Sequence, residues 1–575
     1  MKYLKQFFRR HRGRAVLAAL LLLGQVMGTL LIPALIADVV DRGILRGNMD
    51  AILRTGVQML VVAVLASAVA AWGSWVTSDL SALFGREMRS KLLRKSQELS
   101  IQQFGAVGVS SMITRSTSDI TNLQQTLGMM LQMAVPAPII VAASTVMTAM
   151  VSPVMALIQV GFMAVLLIAA GVVLKKSNAL SRSIQVRLDR INRVLREAIT
   201  GARVIRAFGN EAYEEERSGG AYESYADNMI RLNKLFAVFI PVVWLLMGAL
   251  IAVVLGIGGA LTLGGTMEVG QITAVTEYST LTMAYLIMAA SAMTTLPKAR
   301  ACLDRLQELL DMQSAVADTA AVPAEPVRTA AVVEFDHVTF SYPGAEEPVL
   351  RDLSFTMYPG QTTAVIGSTG SGKSTLADLL LRLHDVGDGR IRLGGVDVRQ
   401  LSQTELRGAI GCVPQKAFLF SGTIADNLRM GRPDASDGEL WEALRVAQAE
   451  DFVRQLPQGL GAPVSQGGAN FSGGQRQRLS IARALVKRAD VFLFDDSFSA
   501  LDVKTDAALR RALRRSVTAP AKLIIAQRVS TILDADQILV LEEGRLAGAG
   551  THSELLEHCP VYRAIAESQM NRKEA

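Results

Sequence analysis

Charged residues are missing from long stretches of the first half of the chain. None occurs from Ala15 to Ala37, Thr55 to Ser78, Ile120 to Leu174 or Leu235 to Met267, and Val269–Pro297 holds one, Glu277. A helix that crosses the hydrocarbon core needs about 20 apolar residues. Ile120–Leu174 is long enough for two crossings, with Ser152-Pro153 as the turn between them. The pattern predicts six spans, at approximately 15–38, 55–80, 131–151, 154–174, 236–262 and 270–293. The segments joining spans two and three, and four and five, are charged yet keep helical spacing, as in Ile184, Leu188, Ile191 and Val194. Spans two to five are therefore expected to continue as helices well into the cytoplasm, either as solvated helical hairpins or as a mechanical link to the rest of the protein. After residue 300 short apolar strands alternate with helices, the pattern of an α/β domain. The Ala/Val/Pro-rich stretch from Met312 reads as a linker. The expected division is 1–311 for the membrane domain, 312–329 for the linker and 330–575 for the α/β domain.

Lys and Arg set the orientation. They crowd the first 14 residues (Lys2, Lys5, Arg9, Arg10, Arg12, Arg14) and both long connecting segments, and are missing from the turn at Ser152-Pro153 and from Leu263–Gln271. The N-terminus, the long loops and the α/β domain are thus expected in the cytoplasm, in a multi-pass membrane protein. Orientation explains the basic N-terminus more simply than nucleic-acid binding, and no nucleic acid is expected as partner. No small-residue cleavage site follows the first apolar run, so it reads as a span and not a signal peptide. Asp38 and Asp41 end span one on the outer side, where solvated carboxylates are the simpler expectation over a latch on an external gate.

Composition narrows the class. The 575 residues are 50% hydrophobic and 19% charged, with a formal net charge of +7. Three Cys (302, 412, 559) and 17 Pro exclude a disulfide scaffold and a collagen-like or disordered chain. The thiols are expected to be buried or inert, and the five His have no metal-ligand spacing.

The chemistry lies in the second half. The strand Thr363–Ile366 runs into Gly367, Ser368, Thr369, Gly370, Ser371, Gly372, Lys373, Ser374 and Thr375, and then into a helix. This is G-x-x-x-x-G-K-[ST] in the strand–loop–helix setting of a phosphate loop. Backbone N–H groups and the helix N-terminus cradle phosphate oxygens there. Lys373 reaches the β/γ-phosphates, and the Ser374 hydroxyl can hold Mg²⁺. A second apolar strand, Val491–Phe494, ends in Asp495 and Asp496. In phosphate-loop ATPases the first such carboxylate supports the Mg²⁺ shell, and the second would polarise the attacking water.

Phe471, Ser472, Gly473, Gly474 and Gln475, followed by RQRLSIARAL, resemble the signature motif of ABC-transporter ATPases. Tyr342, twenty-five residues before the phosphate loop, matches the adenine-stacking aromatic of that family; Gln415 matches its Q-loop, and Asp502 in SALD its D-loop. Six spans ahead of one such domain resemble the exporter-type (type IV) half-transporters. The resemblance implies an α-helical six-span domain with long cytoplasmic extensions, fused to an α/β P-loop ATPase domain. It implies ATP and Mg²⁺ as cofactors, the metal held through Ser374, Gln415 and Asp495. It also implies a second half-transporter as partner, two ATPs sandwiched head to tail between phosphate loop and partner signature, and coupling helices at the loop tips near Gly105–Ile113 and Asn210–Glu216.

Three departures carry information. Asp496 stands where the family has Glu, one methylene longer, and misplacement by about 1 Å can cost ~10²-fold in rate. Gln527 stands at the switch position that is normally His. Gln466 lies at or beside the acidic residue that normally precedes the signature. The first two belong to the site built on this chain's own phosphate loop; the signature, which serves the other site, is intact apart from Phe471 for Leu. This resembles the degenerate-site subunit of heterodimeric bacterial multidrug exporters. A heterodimer is expected, with a homodimer of two slow sites as the alternative. Glu277 is a candidate contact for cationic amphiphiles, against a partner-satisfied buried carboxyl or a position near the outer surface. Met- and Ala-rich spans with few polar handles suit a small hydrophobic or amphipathic substrate in contact with membrane lipid. Export of such compounds is the expected function. Lipid flipping, peptide export or import by the same fold is the alternative, and a non-pumping ATP-gated regulator is disfavoured by the intact signature.

Overall fold

The computed structural model of the chain describes residues 2–316 and 332–570. Residues 317–329 of the expected linker lie outside the described residues. By contact the chain divides into two units, one of residues 1–97 and 107–312, the other of 98–106 and 313–575.

Among the described residues of the first unit six helices are long and apolar enough to cross a membrane: Arg12–Ile44, Met49–Glu98, Val109–Val151, Pro153–Thr200, Glu211–Leu263 and Val269–Asp311, spans one to six below. All are longer than their charge-free stretches, because the helical spacing of apolar residues continues into the charged flanks. Spans three and four break where the sequence demands it. Ser152 is extended (φ −156°) and caps span four through its side chain, with Pro153 in the first turn, where the missing N–H costs nothing. Span three is not uniformly α-helical: Arg115–Asp119 and Met130–Ala134 form π-turns. Such bulges insert a residue into the ladder and re-aim side chains. Span six bends after Met293 and continues as Leu296–Asp311.

Span six is the hub of this unit. Ala274 and Tyr278 pack with Val26 and Leu30 of span one and Ile140 of span three. Val275 and Met283 pack with Met155 and Leu166 of span four and Leu250 and Val254 of span five. The Tyr278 hydroxyl donates to the Leu30 carbonyl at 3.2 Å. At the outer end the expectation for Asp41 is corrected. Asp41 is buried (7% exposed), and its Oδ1 accepts from Gly270 N at 2.6 Å. The carboxylate satisfies one of the free N–H groups that open span six, and so ties the ends of spans one and six together. Asp38 instead pairs with Arg42 one turn on, at the surface.

The described residues of the second unit hold twelve strands: β1 (Val333–Phe340), β2 (Leu350–Met357), β3 (Thr362–Gly367), β4 (Asp388–Leu393), β5 (Val396–Asp397), β6 (Ile410–Val413), β7 (Gly422–Thr423), β8 (Pro463–Val464), β9 (Val491–Asp495), β10 (Ala521–Ile525), β11 (Gln537–Glu542) and β12 (Arg545–Gly550). Four form an antiparallel sheet in the order β2-β1-β4-β5, and six a larger sheet in the order β12-β11-β3-β10-β9-β6. In the larger sheet all neighbours are parallel except β11 and β12. Strands buried on both faces read as continuous apolar runs: Val491–Phe494 are at most 4% exposed. Parallel sheets bind ligands beyond the carboxyl ends of their strands. β3, β6, β9 and β10 all point that way together, so whatever follows Gly367, Val413, Asp495 and Ile525 converges at one edge. The segment Glu98–Ala106, much of it a short helix, belongs to this unit, where Gln103 Nε2 donates to the Gln313 carbonyl at 2.7 Å.

Candidate functional site

The turn after β3 can be built only around glycine. A Cβ on Gly367 would lie 2.2 Å from the Leu541 carbonyl of the neighbouring strand, and Gly372 is left-handed (φ +96°) with its Cβ direction blocked by Leu350. Gly372 opens the helix Lys373–Leu380, so the loop delivers chain directly to a helix N-terminus. Ser368, Thr369, Gly370 and Ser374 are exposed along it, while Ser371 and Thr375 are buried. Lys373 Nζ lies over the loop, donating to the carbonyls of Gly367 at 2.9 Å and Ser368 at 2.6 Å. Burial pushes its pKa down, against the pull of Asp496 and Asp495.

Asp495 ends β9. Burial first, and then the charges of Asp378 and Asp496, push its pKa up to about 6, although Lys373 opposes them. A crowded carboxylate of this kind gains from a cation. Ser374, Gln415 and Asp495 offer the hydroxyl, amide and carboxylate oxygens that Mg²⁺ takes alongside phosphate. No group of three or more His, Cys, Asp or Glu forms another metal site among the described residues.

Asp496 adopts a left-handed backbone (φ +43°), held by its N–H to the Ile525 carbonyl at 2.9 Å. A non-glycine residue held in that region points to a functional constraint. Its Oδ2 accepts from both Gln415 Nε2 (3.1 Å) and Gln527 Nε2 (2.9 Å). Three positions spread over 112 residues of sequence thus meet at one oxygen. The segment carrying Gln527 is gripped from the last described helix. Gln569 donates to the Gln527 carbonyl at 2.9 Å and accepts from Val529 N at 2.8 Å. Nothing in the sequence pointed to Gln569, a polar residue near the end of the chain. Asp378, on the helix after the phosphate loop, was missed likewise; it reads as an ordinary surface acid in a helical pattern, and burial raises its pKa.

Tyr342 is half-buried. Its hydroxyl lies 3.1 Å from Thr375 Oγ1, and its ring stands edge-on to Phe340 and His384. Ser472 caps the helix Gly473–Val486 through a reciprocal box, accepting from Gln475 N and donating its own N–H to Gln475 Oε1 at 2.9 Å. Phe471 is buried near Phe452, so the larger side chain has a place in the core. No hydrogen bond joins Phe471–Gln475 to the phosphate loop, Asp495, Asp496 or Gln527 among the described residues. Asp502 caps the helix Val503–Ser516 by accepting from Thr505 N at 2.9 Å. Gln466 opens a short 3-10 turn ahead of the signature.

Residues 15–286 match the ABC transporter transmembrane region, and residues 350–499 match the ABC transporter family's ATPase part. An uncharacterized ABC transporter ATP-binding protein of Mycobacterium tuberculosis is 37% identical over 571 residues, which cover 98% of this chain and 97% of the relative. The chain belongs to the ABC transporter family. A fatty acid ABC transporter ATP-binding/permease protein of the same species is 33% identical over 480 residues, 83% of this chain and 75% of its own. A solved bacterial Atm1-family ABC exporter with ATP bound superposes with a TM-score of 0.81 at 28% identity, over 97% of this chain and 98% of that one. This ABC transporter is therefore an exporter-like half-transporter. It is a multi-pass membrane protein with a cytoplasmic, ATP-hydrolysing domain.

Glu277 is exposed on span six, about 12 Å from the helix start at 1.5 Å per residue. It shares a stripe with the exposed Ala284 and Met288, at helical spacing. Of the readings open for it, a carboxyl buried within its own chain is not what the structure has. The loop tips expected near Gly105–Ile113 and Asn210–Glu216 differ in setting: the first falls on the short helices Ile101–Val107 and Val109–Thr114, while most of the second already belongs to the long helix Glu211–Leu263, preceded by the short helix Ala202–Phe208, with Val204, Phe208 and Tyr213 exposed. Cys302 and Cys559 are buried, and the half-buried Cys412 thiol is pushed up to about 12, chiefly by burial.

Proposed function

We propose that this half-transporter exports hydrophobic or amphipathic compounds, that its own ATP site binds nucleotide and hydrolyses it slowly, and that Phe471–Gln475 complete the faster site of a different partner chain. The observation that carries the reading is the tie between Gln527, Gln415 and Asp496. Hydrolysis needs a carboxylate free to orient and deprotonate a water, and a donor turned to the γ-phosphate. Here the carboxylate is short, one of its oxygens already accepts two amides, and the Gln527 donor is spent on it. Gln527 is also neutral at every pH. The binding elements keep the residue types that nucleotide binding needs: the phosphate loop, Lys373, Ser374 and Tyr342 all stand at the sheet edge or beside it. When bound, Mg²⁺ would supply charge neutralisation on the phosphates, from Ser374, Asp495 and Gln415.

The membrane unit supports an apolar cargo. A groove of about 400 Å³ runs along Met27, Leu30, Ile139 and Met147, and one of about 320 Å³ along Phe239, Trp244, Met247, Ala284 and Met288. The second shares span six with Glu277, which places a carboxylate two turns from an apolar surface and favours amphiphiles with a cationic head. The fatty-acid relative keeps a lipid-like cargo as the second reading. Turnover by the purified chain alone, beside its binding of a fluorescent ATP analogue, tests the nucleotide half: binding with slow turnover is expected, and brisk hydrolysis without a second polypeptide overturns it. Dye extrusion from vesicles holding both chains, tested with cationic and anionic amphiphiles, tests the cargo.

A further inference from the structure

Spans three, four and six share a buried polar cluster inside an otherwise apolar bundle. Thr282 Oγ1 lies 2.6 Å from Ser144 Oγ, accepts from Gln159 Nε2 at 2.9 Å and donates to the Tyr278 carbonyl at 2.8 Å. Those bonds use up the Thr282 hydroxyl. Beside it three polar atoms have no partner: Gln159 Oε1, Thr148 Oγ1 and Ser279 Oγ. All three side chains are 0% exposed. Thr148 is one turn beyond Ser144 on span three, and Ser279 about one turn before Thr282 on span six. These spans run in opposite directions, so both displacements lead the same way, toward the outer end of the bundle. The two unpartnered hydroxyls therefore both lie on the outward side of Thr282, to which Gln159 is itself bonded.

The chemistry of that place is specific. Gln159 Oε1 only accepts, so the occupant must donate; Thr148 and Ser279 can each donate or accept. Every group is neutral, which is a poor set for Mg²⁺ or Ca²⁺, since these want carboxylates. A water molecule, with two donors and two acceptors and commonly about three protein partners when buried, answers all three groups at once. We propose that an ordered water is bound here, donating to Gln159 Oε1 and bonded to the hydroxyls of Thr148 and Ser279. It adds a second set of bonds, outward of Thr282, to those that already tie spans three, four and six together.

The test turns on the sign of a substitution. Removing a hydroxyl that binds water costs stability, whereas removing one that is buried without any partner gains it. Ser279→Ala and Thr148→Val, in the full chain in lipid nanodiscs, are each expected to lower the thermal midpoint. An unchanged or raised midpoint in both overturns the proposal. Melting in sodium, potassium and choline buffers is expected to be the same; a midpoint that depends on sodium assigns the place to an ion and also overturns it. In a map fine enough to show water, a peak within hydrogen-bond distance of Gln159 Oε1 and at least one of the hydroxyls is expected, and an empty site sinks the idea.

Discussion

Gln527 donates its side-chain amide to Asp496 at 2.9 Å, across the carboxyl ends of two adjacent parallel strands. The contact joins the two residues on which the proposed slow site rests, and makes one the partner of the other. Gln527→His together with Asp496→Glu separates that partnership and restores length and basicity. The double variant is expected to raise ATP turnover of the purified chain by about 10- to 100-fold, the scale on which misplacement by about 1 Å acts. Each single change is expected to give less. A double variant as slow as the parent would falsify the account of these two positions.

The raised pKa of Asp495 gives a pH dependence whose sign can be worked out. An unfolded Asp loses its proton near pH 4, whereas in the fold Asp495 holds its proton to about 6. Between these values the folded state binds more protons, so this group's contribution to stability falls as pH rises from about 4 to about 6. The nucleotide-free protein is expected to lose thermal midpoint across that window, and Asp495→Asn to flatten the slope. Binding of Mg²⁺ with nucleotide, which needs the ionised carboxylate, is expected to strengthen over the same range. A slope as steep in the variant as in the parent would refute the assignment.

The phosphate loop, Asp495, Asp496 and the signature were legible because each is a local pattern: strand, turn, helix, with residue types that only one backbone path accommodates. The six spans were legible because charge is too costly in lipid to appear by accident. Asp41, Gln569 and the Thr282 cluster were not. Each depends on which distant element comes to lie beside it, and a lone polar residue carries no trace of its partner. Asp41 reads as a solvated acid until Gly270 N is seen 2.6 Å away. Asp119 likewise looks like one charge among many in a cytoplasmic loop.

Asp119 is 3% exposed and takes a two-pronged bond from Arg305, Nε to Oδ2 at 2.9 Å and Nη2 to Oδ1 at 2.6 Å, with the Cys302 thiol 3.4 Å from Oδ1. Asp119→Ala leaves the guanidinium without its carboxylate and is expected to cost about 1–3 kcal/mol, toward the lower end because Arg305 is half-exposed. Arg305→Lys keeps the charge and loses a prong, so it is expected to fall between parent and Asp119→Ala. In a double-mutant cycle read by denaturation in detergent, Asp119→Ala with Arg305→Ala is expected to cost less than the sum of the singles. Strict additivity would mean that the pair does not interact.

The join between spans one and six is sharply constrained by close packing of backbone on backbone. A Cβ on Gly270 would sit 2.3 Å from the Ala37 carbonyl and 2.6 Å from Asp41 Oδ2. The first is backbone and cannot swing aside, so Gly270→Ala must push the start of span six away from span one and break the bond from Gly270 N. Asp41→Asn keeps an oxygen to accept that bond and changes only charge, whereas Asp41→Ala removes the acceptor and leaves the N–H buried. The expected order of thermal midpoint in nanodiscs is parent, then Asp41→Asn, then Asp41→Ala, with Gly270→Ala lowest. If charge rather than the hydrogen bond held the two spans, Asp41→Asn would fall as far as Asp41→Ala. If the contact were only incidental to an exposed loop, Gly270→Ala would melt at or above the parent, because a helix position without crowding gains from Ala over Gly by up to about 1 kcal/mol. The two variants thus separate a steric seam from an electrostatic one.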